Sequence, residues 1–165
     1  MPAMEGVIAV DDPRVDDVRA LVATHLALAH GTSPPENVHA LDVGGLLDPA
    51  ITFYSYRVDG ELLGIGALKQ LDDSHGELKS MHTAAAARRQ GVARALVVHL
   101  IAVARQRGYS RLSLETGTGP AFEPAHALYT GLGFAPSDAF GEYVNGPHNV
   151  CMTRLLEDEP VADVG

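Results

Sequence analysis

The sequence predicts a mixed α/β fold, and three observations carry that prediction. A β-branched and aromatic run, Ile51 to Val58, meets a second strand-like run, Glu61 to Leu71, across Asp59-Gly60, a strong two-residue hairpin signal. The stretch Gly76 to Leu96, GELKSMHTAAAARRQGVARAL, passes from a strand pattern through a glycine-containing turn into a long apolar helix. Ser110 to Glu115 then follows that helix over short loops, and a strand–helix–strand unit of this kind pairs its strands in parallel.

Taken in order, Val7 to Val10 forms the first strand. Asp11-Asp12-Pro13 supplies a cap and a first-turn proline, and Val15, Val18, Leu21, Val22, His25 and Leu26 recur at helical spacing up to about Gly31. Thr32-Ser33-Pro34-Pro35 breaks that helix, and His39 to Leu47 is either a loop or a short, poorly capped helix. In the hairpin's second arm, Gly64 and Gly66 mark a bulge or a close backbone approach. Asp72 to Gly76 forms the next turn, followed by the strand Glu77 to Thr83. The central helix runs from about Gly91 to Arg107, and Gly108 stops it. Its interior, VARALVVHLIAVA, is apolar on most sides, so it packs under a sheet. A helix from Ala121 to Gly131, a strand opening at Phe134 and a last strand from Asn149 to Leu155 complete the pattern. No repeat or linker divides the chain, so residues 1–156 read as one domain and 157–165 as a frayed acidic tail.

Composition bounds the function. With 165 residues, 46% of them hydrophobic, the chain can bury a core without disulfides or metal, and its single cysteine, Cys151, permits no intramolecular disulfide. The N-terminus shows no signal-peptide pattern and no apolar run approaches the ~20 residues that span a bilayer, which points to a cytoplasmic protein without a membrane partner. A formal charge of −9 argues against a nucleic-acid partner, which needs a basic face. The charge is unevenly spread: between Leu78 and Leu114 there is no Asp or Glu, while Lys79, Arg88, Arg89, Arg94, Arg105, Arg107 and Arg111 all fall there. A solvated helix face accounts for some of these. Arginines around a helix N-terminus oppose the helix dipole and so need another reason, and an anion held by the orphan N–H groups of the first turn supplies one.

Arg88-x-x-Gly91-x-Ala93 matches the (Gln/Arg)-x-x-Gly-x-(Gly/Ala) signature, and Ala125-x-x-Leu128-Tyr129-x-x-x-Gly133-Phe134 matches A-x-x-L-Y-x-x-x-G-F. With a strand between them, the two motifs make the chain resemble the GNAT superfamily of acyl-CoA-dependent N-acetyltransferases over nearly its whole length. The stretch LETGTGPAFEPAHALY also resembles a bacterial subgroup of acetyltransferases without an assigned substrate. The resemblance implies a twisted, mostly antiparallel sheet of six to seven strands flanked by about four helices, with strands four and five parallel and splayed. It implies acetyl-CoA as cosubstrate, with an amine acceptor as partner and a homodimer as a family-level expectation. Main-chain groups around Met81, His82 and Thr83 would pair with the pantetheine arm. Arg88 and the backbone N–H groups of Arg89, Gln90, Gly91, Val92, Ala93 and Arg94 would cradle the pyrophosphate. Where many relatives have an asparagine three residues before the alanine of the second motif, this chain has Phe122, which would pack on the cofactor instead.

Acetyl transfer to an amine needs a base, a stabilised oxyanion and a proton for the departing thiolate. By the resemblance Tyr129 is the general acid; otherwise it is an aromatic that packs its helix on the sheet. Glu77, eleven residues before Arg88, stands where some relatives carry a glutamate base. Burial beside the cofactor arm would raise its pKa toward neutrality, whereas a strand-end glutamate would face water and pair with Lys79 or Arg111. Glu115 competes for the same role. Acidity outside the cofactor block, at Asp42, Asp48, Glu115, Glu123 and Glu142, suits a cationic acceptor. The eight histidines lack metal-site spacing, so no metal is expected, and Cys151 reads as a small core residue. Two other readings stay open at this level: a non-catalytic acyl-CoA-binding module on the same fold, and an unrelated phosphate-binding α/β protein.

Overall fold

In the computed structural model, residues 6–32, 41–141 and 143–156 are described. The expected break at Ser33 to Pro35, His39, Glu142 and the tail from 157 lie outside them. Seven strands form one sheet in the order β1-β2-β3-β4-β5-β7-β6: β1 is Val7–Val10, β2 Ile51–Val58, β3 Glu61–Asp72, β4 His75–Thr83, β5 Arg111–Gly117, β6 Ala135–Ser137 and β7 Asn149–Leu155. Every neighbouring pair is antiparallel except β4 and β5. The helices are α1 (Asp16–Thr32), α2 (Val43–Leu46), α3 (Val92–Gln106) and α4 (Glu123–Gly131).

Strand alternation divides the core between two faces. Tyr54, Tyr56 and Leu68 join Leu96 and Leu100 of α3 and Tyr129 of α4 in one buried cluster. Phe53, Ile65 and Ala67 point the other way and meet Val18 and Val22 of α1 and Leu46 of α2. Gly64 and Gly66 face α3, and a Cβ on either would fall 2.6 Å from Val92 Cγ1 or 2.7 Å from Met81 Sδ. These glycines let α3 lie close on the sheet. The expected bulge is resolved into two register shifts. Leu63 is the extra residue opposite Tyr56/Arg57, and a second shift puts the extra residue on β4, facing Gly66, where Ser80 has φ 57°.

Several boundaries differ from the sequence reading. Helix α1 begins at Asp16, not at Pro13, because Asp12 Oδ1 accepts from the Arg14 N–H and its side chain and makes a separate turn there. Residues 43–46 are helical and properly capped, since Asp42 Oδ1 accepts from the Gly45 N–H at 2.8 Å. The turn after β3 shrinks to Asp73-Ser74, so β4 gains His75 and Gly76. A 3₁₀ turn, Pro120–Phe122, precedes α4.

Candidate active site

Strands β4 and β5 pair only from His75↔Arg111 to Leu78↔Leu114. Both continue beyond that point, to Thr83 and Gly117, without pairing with each other. The parting leaves one edge of β4 from Lys79 onward without a strand partner and opens a cavity of about 260 Å³. Met81 and His82 of β4, Thr116 and Gly117 of β5, and Phe122, Ala125 and Tyr129 line one part of it. Glu77, Lys79, Glu115, Tyr143 and the α1 residues His25, Leu28 and Ala29 line the rest.

Tyr129 is held by α4, whose C-terminal turn is anchored where the Phe134 and Leu132 N–H groups both donate to the Tyr129 carbonyl. Its ring meets Phe134 edge to face at 5.8 Å, and burial pushes its phenol up to about 12. The hydroxyl therefore keeps its proton at neutral pH. Packing and access to the cavity coexist in this one side chain. Phe122 packs against Gly117, where a Cβ would come 2.4 Å from its ring.

Glu77 is 2% exposed, so it does not face water as a strand-end glutamate would. Its Oε2 accepts from Lys79 Nζ at 3.2 Å and from the Tyr143 hydroxyl at 2.5 Å, and Lys79 Nζ also donates to the Tyr143 oxygen at 2.6 Å. Burial, with Glu77 next, drives the Tyr143 phenol well above the usual range, and Glu115 and Cys151 add to it. Tyr143 belongs to the segment between β6 and β7 and brings its side chain to the cavity. Asn145 ties that segment down by donating to the Ser137 carbonyl and accepting from the Cys151 N–H. The Asn149 amide donates to the Val144 carbonyl, Thr118 Oγ1 donates to the Pro147 carbonyl, and Phe140 packs on His75, whose Nε2 is 2.7 Å from Ser113 Oγ.

At the far end of β4, Thr83 pairs with Gly64 and the chain turns through the 3₁₀ segment Ala85–Ala87 into Arg88. Arg89 (φ 65°) and Gly91 (φ 83°) are both left-handed, and Gly91 is the N-cap of α3. Among the described residues no side chain caps this end, so the first N–H groups of α3 open onto an exposed loop with Arg88, Arg89, Gln90 and Arg94 around it. Val92 is 1% exposed and packed under β3, so only its backbone is available there, and Ala93 is half-buried beside it. These loop residues do not line the cavity. They stand beyond it, at the other end of the β4 edge that carries Met81, His82 and Thr83.

His82 forms a pair with His25 of α1, Nδ1 to Nδ1 at 3.0 Å. Burial first, then His25 and Arg88, lowers His82 to about 4, and burial lowers His25. Both imidazoles are therefore neutral, one donating and one accepting. Sequence reasoning missed His25, Lys79 and Tyr143 as members of the site. The signal for them was coarse: the resemblance implied only that Ala20 to Leu47 and Pro136 to Asn149 shape the acceptor side, and the second stretch carries the aromatics Phe140 and Tyr143. Among the described residues no three His, Cys, Asp or Glu side chains cluster as metal ligands, and no helix is long and apolar enough to cross a membrane. Cys151 is buried, and burial raises its thiol.

The model of the acetyltransferase (GNAT) family matches residues 18–134. The uncharacterized N-acetyltransferase YsnE of Bacillus subtilis is 47% identical over 149 residues, covering 90% of this chain and 99% of that protein. The uncharacterized N-acetyltransferase YedL of Escherichia coli is 49% identical over 149 residues, 90% of this chain and 94% of its own length. Among solved structures, one assigned as an acyl-CoA N-acyltransferase from Klebsiella pneumoniae superposes with a TM-score of 0.76 at 30% identity, covering 92% of this chain and 97% of that one. A GNAT family acetyltransferase from Elizabethkingia anophelis with acetyl-CoA bound shares the fold at a TM-score of 0.66 and 18% identity, over 92% of this chain and 98% of its own. A parallel pair that parts within an otherwise antiparallel sheet, a glycine-capped α3 and these likenesses agree: the chain is an acetyltransferase enzyme and belongs to the GNAT family, whose cosubstrate is acetyl-CoA.

Proposed function

We propose that the protein transfers an acetyl group from acetyl-CoA directly to a primary amine. The observation that carries this reading is the parting of β4 and β5 after Leu78 and Leu114, which sets an unpaired strand edge, a phenol and a carboxylate around one cavity. The residues present fit the cosubstrate. Main-chain groups of Met81, His82 and Thr83 have the extended form that an added strand-like arm would pair with. The start of α3, where the left-handed N-cap Gly91 offers no side-chain cap and three arginines stand nearby, suits a pyrophosphate. When bound, acetyl-CoA supplies the acetyl group on a thioester and leaves as a thiol.

The chain's own residues supply the proton chemistry. Tyr129 is the general acid, its hydroxyl kept protonated by burial. Glu77 is the base toward the acceptor nitrogen, acting within hydrogen-bond contact of Lys79 and Tyr143. Phe122 seats its ring on Gly117 and gives the cavity an apolar wall in place of an amide contact. The test is a panel of amines with acetyl-CoA, following release of free thiol. Replacement Tyr129→Phe is expected to lower kcat by about 10²-fold while leaving acetyl-CoA affinity in place. An unchanged kcat would remove Tyr129 from the mechanism.

A further inference from the structure

The segment between β6 and β7 brings a second phenol to the same cavity, and its bonding differs from that of Tyr129. Burial alone acts on Tyr129, whereas Tyr143 is wired into charged neighbours. Its hydroxyl gives its proton to Glu77 Oε2 at 2.5 Å, the length of a charge-assisted bond, and takes one from Lys79 Nζ at 2.6 Å. The Glu77 carboxylate is 2% exposed, and the oxygen nearest the segment is covered by those two groups. Glu77 itself lines the cavity, but its Oε2 is taken up by these two donors, and the Tyr143 phenol offers a route from the cavity to that oxygen. Tyr143 both covers Glu77 and lines the cavity.

We propose that Tyr143 is a catalytic relay: its oxygen receives a proton from the acceptor nitrogen as its own phenolic proton passes to Glu77 Oε2. One N–H bond and one phenolic O–H bond break, and one phenolic O–H and one carboxyl O–H form. The phenol is regenerated, Glu77 ends neutral and the nitrogen keeps the electron pair it needs for attack. Lys79 is a positioning residue here, since its ammonium fixes the phenol and carboxylate oxygens against each other. Asn145 is a second positioning residue, because its bonds to the Ser137 carbonyl and the Cys151 N–H hold the segment from which Tyr143 projects. The relay rests on the assignment of Glu77 as base made above.

The experiment compares Tyr143→Phe, Glu77→Gln and the double variant, each shown by its melting curve to be folded, with the best amine from the panel. Each single change is expected to lower kcat by about 10²-fold. The double change should cost no more than either alone, because both act in one step, and KM for acetyl-CoA should stay near the wild-type value in all three. A second readout needs no acetyl-CoA: the phenolate absorbance of the protein alone is followed as pH rises. The titratable groups facing Tyr143 are Glu77 and Lys79 of β4, Glu115 of β5 and the Cys151 thiol of β7. Removing the Glu77 charge is expected to move one tyrosine's ionisation to lower pH, and Tyr143→Phe should abolish that movement. Full activity of Tyr143→Phe with Glu77→Gln inactive overturns the relay and leaves Glu77 as base. Full activity of both overturns the base assignment as well. Losses that multiply in the double variant, or phenolate titrations that superimpose, overturn the shared proton.

Discussion

The neutral pair His25–His82 couples the first helix to β4 through a bond that exists only while at least one imidazole is unprotonated. His82 has an ordinary value of 6.5 and is pushed down to about 4 in the folded chain. Between those values the unfolded chain binds more protons than the folded one, so stability is complete above about 6.5 and declines as pH falls toward 4. His82→Gln is expected to flatten the fall in Tm across that window, measured by circular dichroism melts at several pH values. Parallel slopes for the two proteins would show that the pair does not govern the decline. At this scale the sequence was partly legible. Tyr129 could be found because its motif is local, four residues after Ala125 on one helix. Tyr143 could not, because its partner Glu77 is 66 residues away and only the closed sheet brings the two within 2.5 Å.

Elements were more legible than contacts. The hairpin at Asp59-Gly60 was readable because both residues take positive φ, 52° and 83°, and Asp-Gly is the pair that does so at least cost. The second bulge fell on β4 because Ser80 took a left-handed conformation that no serine advertises, while Gly66 opposite met the requirement for space. The two glycines on β3 lead to a packing prediction. Gly64→Ala places a methyl 2.6 Å from Val92 Cγ1 and 3.1 Å from Leu96, and the stiff β-branched valine has little room to yield. A loss of about 1–3 kcal/mol in stability is expected by chemical denaturation. Gly91→Ala is a different case. Nothing lies within 4 Å of the added carbon, yet φ is 83°, so the cost is conformational, about 1–2 kcal/mol. Because that residue sets the start of α3, KM for acetyl-CoA should rise further than the Tm change accounts for, and an unchanged KM would separate Gly91 from cofactor binding.

Over the whole molecule, a formal charge of −9 conceals a stretch from Lys79 to Arg111 with seven cations and no carboxylate. Three of those cations, Arg88, Arg89 and Arg94, stand around the start of α3, where the polyanionic end of acetyl-CoA is proposed to dock. KM for acetyl-CoA is expected to increase between ~0.05 and ~0.5 M salt as those charges are screened. Acetyl-CoA at about 100 times its Kd should raise Tm by about 5–10 °C, whereas ATP and NAD at the same concentration should not. Equal stabilisation by all three would indicate a general phosphate site. The part of the cavity proposed to receive the acceptor was the least legible part of the chain, because its walls come from α1, β4 and the segment after β6, which converge only through the order of the sheet.

The early end of the β4–β5 ladder also bears on how the protein behaves in a crowded solution. Unpaired strand edges recruit other chains, and proteins usually blunt them with charge, proline or brevity. From Lys79 to Thr83 this protein keeps such an edge in the middle of its sheet, walled by β5, by α4 with Phe122 and Tyr129, by α1 and by Tyr143. The walls of the cavity proposed to admit the cosubstrate therefore also shield this inner edge from another chain's strand.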